Sequence, residues 1–141
     1  MPIIDTPWNT TSQLSCLAAQ DVRTIIRYYN FSNSQNLPEK CLTLAEAQAI
    51  CAQGMNIAVV FQQHQNRAEN FSELKGYEAG RRAYRYAHND IGQPDGTGIY
   101  FSVDFDASTE EIKSCVVPYF EGVQRGLRQS APLPSWGLCA N

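Results

Sequence analysis

No part of the chain is apolar for long enough to cross a bilayer, which takes about 20 residues, and the N-terminal MPIIDTPWN has no basic segment leading into an apolar run. Neither a membrane span nor a cleaved leader is therefore expected. The cytoplasm is the default compartment, with export left to a route that needs no leader. Basic residues are scarce: 11 Lys and Arg stand against 14 Asp and Glu, a net charge of -3, and they form no stripe. Nucleic acid and anionic membrane are excluded as expected partners. No GxGxxG or P-loop pattern is present, which argues against a nucleotide-binding fold. With no CxxC pair and only His64 and His88 for imidazole, a structural zinc site is not expected, nor is any other metal or cofactor. Five cysteines (Cys16, Cys41, Cys51, Cys115, Cys139) are odd in number and widely spaced. They read as reduced, mostly buried thiols that pack as small hydrophobes, not as a disulfide framework.

What is present is the composition of one globular domain, with 141 residues, 43% of them hydrophobic and 18% charged. Short β-like runs alternate with amphipathic stretches. Pro2 to Asp5 begins the series, followed by a helix over about 12–20. The run from Arg23 to Tyr29 is rich in β-branched and aromatic residues, which favours a strand. Thr43 and Glu46 have capping-box spacing and open a helix that Gly54 ends. NIAVVFQ, residues 56–62, is the continuous apolar run of a strand buried on both faces. A helix over about 72–88 follows, with Leu74, Tyr77, Ala83, Tyr84 and Ala87 on or near one face. Next come turn residues, a strand over 98–106 that ends in Asp104 and Asp106, and a helix opened by Ser108 and Glu111. Pro118 should kink that last helix, because it removes a backbone donor.

This βαβαβαβα order predicts parallel strands with outer helices, either as an open doubly wound sheet or as a (β/α)-barrel. A complete barrel needs about 250 residues, so four units over residues 1–129 correspond to a barrel cut to its N-terminal half. The two prolines within 130–141 mark an irregular tail. A half-barrel leaves open strand edges, so self-association is an expected property.

In such layouts ligands bind at the carboxyl ends of the strands. Those ends carry Asp5; then Arg27, Tyr28, Tyr29 and Asn30; then Gln62, Gln63 and His64; then Asp104 and Asp106. On a strand, residues i and i+2 share a face, so Asp104 and Asp106 would point together into the mouth. Two close acids in a partly dry site split their pKa values, which suits glycosidic cleavage: one protonates the leaving oxygen while the other stays ionised. The same DxD spacing also occurs in magnesium sites, or one Asp merely caps a helix. Tyr28, Tyr29 and Phe61 either stack on sugar rings or fill the core, with core the better reading for Phe61. Gln62 and Gln63 either hydrogen-bond sugar hydroxyls or are plain loop residues; Asn30 and His64 are further substrate-side candidates, with a surface position the better reading for a lone loop histidine such as His64. Arg27 inside a strand needs a partner, for which Asp5 or Asp104 is expected.

TSQLSCLAAQDVRTIIRYYN, LTLAEAQAICAQGMNIAVVFQ, FSELKGYEAGRRAYRYAHNDIG and GIYFSVDFD together resemble the glycoside-hydrolase-like family called domain of unknown function 1906, over roughly residues 3–129. That family is similar to the family-25 lysozymes, (β/α)-barrel enzymes that cleave peptidoglycan with an Asp after the first strand and an Asp-x-Glu after the fourth. The resemblance implies a peptidoglycan-type polysaccharide ligand and maps Asp5 onto the first acid, Asp104 onto the second and Asp106 onto the Glu. Asp106 is one methylene shorter than that Glu, and the second half of the barrel is missing. A non-catalytic glycan-binding module and an inactive fragment are the alternatives.

Overall fold

Strands β1 (Ile3–Asp5), β2 (Thr24–Tyr29), β3 (Asn56–Phe61) and β4 (Tyr100–Phe101) form one parallel sheet whose spatial order is their chain order. Doubly wound sheets instead reverse order at a switch point, and no reversal occurs here. The computed structural model describes residues 2–130, so most of the segment read above as a tail lies outside the described residues.

Residues alternate faces along each strand, and the two faces differ. In β2, Ile25, Arg27 and Tyr29 are fully buried, while Thr24, Ile26 and Tyr28 are half-buried. The register pairs Ile25 with Ile57, Arg27 with Val59 and Tyr29 with Phe61, so these residues form one packed face. The opposite, more open face carries Ile3, Asp5, Ile26, Tyr28, Ala58, Val60 and Tyr100. Phe61 lies in the core, between the rings of Phe31 and Phe101.

The fourth strand is shorter than its sequence predicts. Only Tyr100 and Phe101 pair with β3, so Asp104 and Asp106 follow the strand on an irregular segment instead of ending it. The cause lies across the sheet. After β3 the chain turns at Gln65, held at φ 50°, and the Gln65 carbonyl accepts the Asp104 amide at 2.8 Å. Ser102 still donates its amide to the Phe61 carbonyl at 3.2 Å, and beyond it the Gln65 contact carries the chain over the β3 loop.

Helices α1 (Leu14–Ala19), α2 (Leu44–Ala52), α3 (Glu73–Arg85), α4 (Thr109–Glu111) and α5 (Val117–Ser130) fill the connections. Ser108 and Glu111 form the reciprocal capping box, and Gly54 takes φ 78° after α2. At Thr43 only half of the expected box forms: its hydroxyl accepts the Glu46 amide, but the Glu46 carboxylate turns inward. Pro118 is accommodated by a π-helical stretch over Ile112–Val116 just before it. The widened turn relieves both the missing donor and the ring's clash with the preceding turn.

Helices α3 and α5 approach unusually closely through four glycines. A Cβ at Gly76 would stand 1.8 Å from the Tyr119 carbonyl oxygen, and one at Gly122 would stand 2.0 Å from that of Glu73. Gly80 and Gly126 meet Val123 and Tyr77 in the same way. Leu74, expected on the buried face, is 63% exposed; Gly76, Ala79, Gly80, Ala83 and Tyr84 take that face instead. The thiols also depart from expectation. Cys16 and Cys51 are exposed and Cys41 and Cys115 half-buried, all four of them free, while Cys139 lies outside the described residues.

Candidate functional site

Four adjacent chain segments deliver polar groups to the carboxyl end of the open face. Asp5 closes β1, Tyr28 is the penultimate residue of β2, Gln62 follows β3, and Asp104 follows β4. The Tyr28 hydroxyl donates to Asp5 Oδ1 at 2.6 Å. Gln62 donates through Nε2 to Asp104 Oδ2 at 3.3 Å, and its Oε1 accepts from Lys40 Nζ at 3.0 Å. The Lys40 ammonium in turn lies 5.0 Å from the centre of the Tyr28 ring. The result is a continuous string, Asp5–Tyr28–Lys40–Gln62–Asp104, linking both acids through a cation.

The electrostatics follow from that string. Burial, then the hydrogen bond to Asp5 and its charge, push the Tyr28 hydroxyl well above the ordinary phenol range, so it remains a proton donor to Asp5. Burial holds the Lys40 ammonium below the usual lysine value, and the charges of Asp104 and Asp5 offset part of that. Lys40 was not among the residues singled out from sequence, because it lies at the end of a long polar loop with no pattern around it.

Its position is set from beneath by Arg27. That side chain is fully buried, and all five of its N–H groups are used: Nε and Nη2 bond the two carboxylate oxygens of buried Glu46 at 2.8 and 2.9 Å. Nη1 donates to the carbonyls of Thr6 and Lys40 at 2.9 and 3.0 Å, and Nη2 to that of Glu39 at 2.7 Å. Glu46 also accepts from the amide and hydroxyl of Thr10. The pair therefore clamps the loops after β1 and β2, including the peptide that carries Lys40. Arg27 thus has all its donors engaged within the protein, and its partner is Glu46, not Asp5 or Asp104.

Other expected site residues separate by strand face. Tyr29 is fully buried, donates its hydroxyl to Gln93 Oε1 at 2.9 Å, and stacks edge-on against Tyr86. Asn30 is buried and bonds Asn33. Tyr29 belongs to the packed side, whereas Asn30 follows the strand and is spent on its loop. Gln63 accepts the amides of Phe31 and Ser32 and donates to the Ser32 carbonyl, so it braces the loop after β2. His64 is exposed, with its backbone amide held by Gln65. Asp5, Asp104 and Asp106 are all exposed, so the partly dry acid pair expected of a strand-borne DxD does not form. Asp106 has no hydrogen-bond partner among the described residues and stands outside the string. An apolar cleft of about 630 Å³ between α2, β3 and the turn over 91–100 contains none of these acids.

Residues 15–136 match the family described as Rv2525c-like, glycoside hydrolase-like domain. The Mycobacterium tuberculosis Tat-secreted protein Rv2525c is 26% identical over 81% of the chain. Its crystal structures with HEPES and with L-tartrate superpose with TM-scores of 0.65 and 0.66 and are covered to 58% and 57%. Two proteins of Bacillus subtilis (strain 168) are also similar. FadG is 25% identical over 114 residues and YbfG 31% over 121, covering 81% and 82% of this chain but only 19% and 16% of theirs. The chain thus spans less than a fifth of the curated relatives it matches. That similar protein is Tat-secreted, a finding that overturns the cytoplasmic default drawn from the N-terminal residues. On the breadth of the family match, which takes in the second to fourth strands, Lys40 and Asp104, the chain belongs to the Rv2525c-like, glycoside hydrolase-like domain family.

Proposed function

We propose that these residues form the N-terminal half of a (β/α)-barrel related to the family-25 lysozymes, and that its mouth engages a β-1,4-linked cell-wall glycan such as peptidoglycan. The observation that carries the reading is the string itself. Two acids from the first and fourth strand ends are joined across the open face by Tyr28, Lys40 and Gln62. Sequential strand order supports the barrel, since each added strand extends the same curl. Asp5 and Asp104, held by neutral donors, would stabilise positive charge developing at the sugar ring. Asp106, exposed and outside the string, would protonate the leaving oxygen. Tyr28 would offer its ring to a sugar face, and Gln62 and His64 would meet hydroxyls. No metal and no cofactor enter this chemistry.

Reducing-end release from purified peptidoglycan tests the proposal, with Asp106→Asn and Asp104→Asn as controls. Release by the unaltered chain and loss of about a hundredfold or more in both variants is the expected result; equal release from all three proteins ends the hydrolytic reading. Binding without cleavage is the second reading, favoured by the exposure of the acids. Retention on insoluble peptidoglycan with no product after long incubation would select it.

A further inference from the structure

Lys40 is the unusual member of the site. Its ammonium is half-buried between two carboxylates yet, among the described residues, forms an ion pair with neither; its bonded partner is the neutral amide oxygen of Gln62. A cation removed from water without a close counter-charge is costly unless something supplies one. The surroundings supply it only in part. Desolvation outweighs the combined pull of Asp104 and Asp5, the Tyr28 ring offers only a quadrupole, and the nearby Arg27 is fully matched by Glu46. Nor is Lys40 placed by chance, because two Arg27 N–H groups grip the carbonyls of Glu39 and Lys40. A buried, fully bonded ion pair thus holds an under-compensated cation in the mouth.

We infer that Lys40 anchors a carboxylate carried by the bound sugar, so that the ligand class is an acidic glycan and not a neutral hexosamine polymer. The inference rests on the glycan reading above and specifies its substrate. A charge-assisted ammonium–carboxylate contact is shorter and stronger than a bond between neutral groups, and a partly desolvated pocket screens it less than bulk water does. Asp5 and Asp104 would then face the hydroxyls and ring oxygen of the same sugar, not its acid. In peptidoglycan the lactyl carboxyl of muramic acid is free only where the stem peptide has been removed, so the ligand would be a peptide-free strand; a uronic acid polymer presents the same chemistry.

Titration calorimetry distinguishes the cases with three probes: N-acetylglucosaminyl-N-acetylmuramic acid, digalacturonic acid, and the neutral N,N'-diacetylated form of chitobiose. The unaltered chain should bind at least one acidic disaccharide about tenfold tighter than chitobiose, a difference of about 1.4 kcal/mol. Lys40→Met should erase that preference, and Lys40→Arg should retain it. In the unaltered chain the preference should also shrink as salt rises, a readout independent of any variant. Which acidic probe wins separates a muramic acid strand from a uronate polymer. Equal binding of acidic and neutral disaccharides, or a preference that survives Lys40→Met, overturns the role of Lys40 and leaves the glycan reading standing. Binding of none of the three overturns both.

Discussion

Arg27 shows how far a single residue can act from the surface it serves. Its guanidinium touches no solvent, yet it ties the loops after β1 and β2 to α2 through Glu46. Removing one partner strands a buried charge, so Arg27→Met should cost about 3–5 kcal/mol in chemical denaturation. Replacing both, Arg27→Met with Glu46→Leu, should recover a large part of that loss in stability while still weakening glycan binding, because the Lys40 peptide loses its clamp. Tyr119 is the opposite case. Its hydroxyl is buried and, among the described residues, has no partner. Tyr119→Phe should therefore leave stability unchanged or raise it by about 1 kcal/mol, read as a rise in thermal midpoint. A fall of similar size would show that the hydroxyl is satisfied.

At the scale of elements, the decisive feature is the pair of glycine-spaced helices, Gly76 and Gly80 on α3 against Gly122 and Gly126 on α5. Each glycine replaces a side chain with a neighbouring carbonyl oxygen. A methyl group at Gly122 has nowhere to go without moving backbone, so Gly122→Ala should destabilise by about 3 kcal/mol or more despite improving helix propensity. At Gly54 a Cβ meets open space, and the cost comes only from the φ of 78°; Gly54→Ala should lose about 1 kcal/mol. Paired denaturant curves test the contrast, and equal losses would contradict the close approach. The spacing of these glycines was visible in the sequence, but apolar periodicity alone draws attention to Leu74, which is exposed.

At the scale of the molecule, the sheet has one packed face and one open face. Ile3 and Tyr100, both on the open face, are 58% exposed. The outer edge of β4, unpaired among the described residues, and an apolar face invite association. Light scattering after size exclusion should therefore show oligomers whose fraction grows with concentration, and Tyr100→Lys should reduce it. A monomer at all concentrations would mean that the face is covered.

Local pattern determined much of this protein. Four β/α units, the carboxyl-end placement of Asp5 and Asp104, the cap at Ser108 and the turn at Gly54 all follow from propensity, apolar periodicity and backbone stereochemistry, which act over a few residues. Strand alternation puts Tyr28 and Tyr29 on opposite faces, although both stood together as candidates when only the carboxyl ends of the strands were considered. Tertiary structure alone decided the rest. Arg27 chose Glu46, 19 residues away, because only burial makes an ion pair compulsory and only folding shows which acid is buried with it. The fourth strand stopped at Phe101 because a carbonyl at Gln65 captured the Asp104 amide. Lys40 came to lie beside Tyr28 and Gln62 because its loop folds back over the ends of the strands, and convergence of that kind leaves no periodic trace in a sequence.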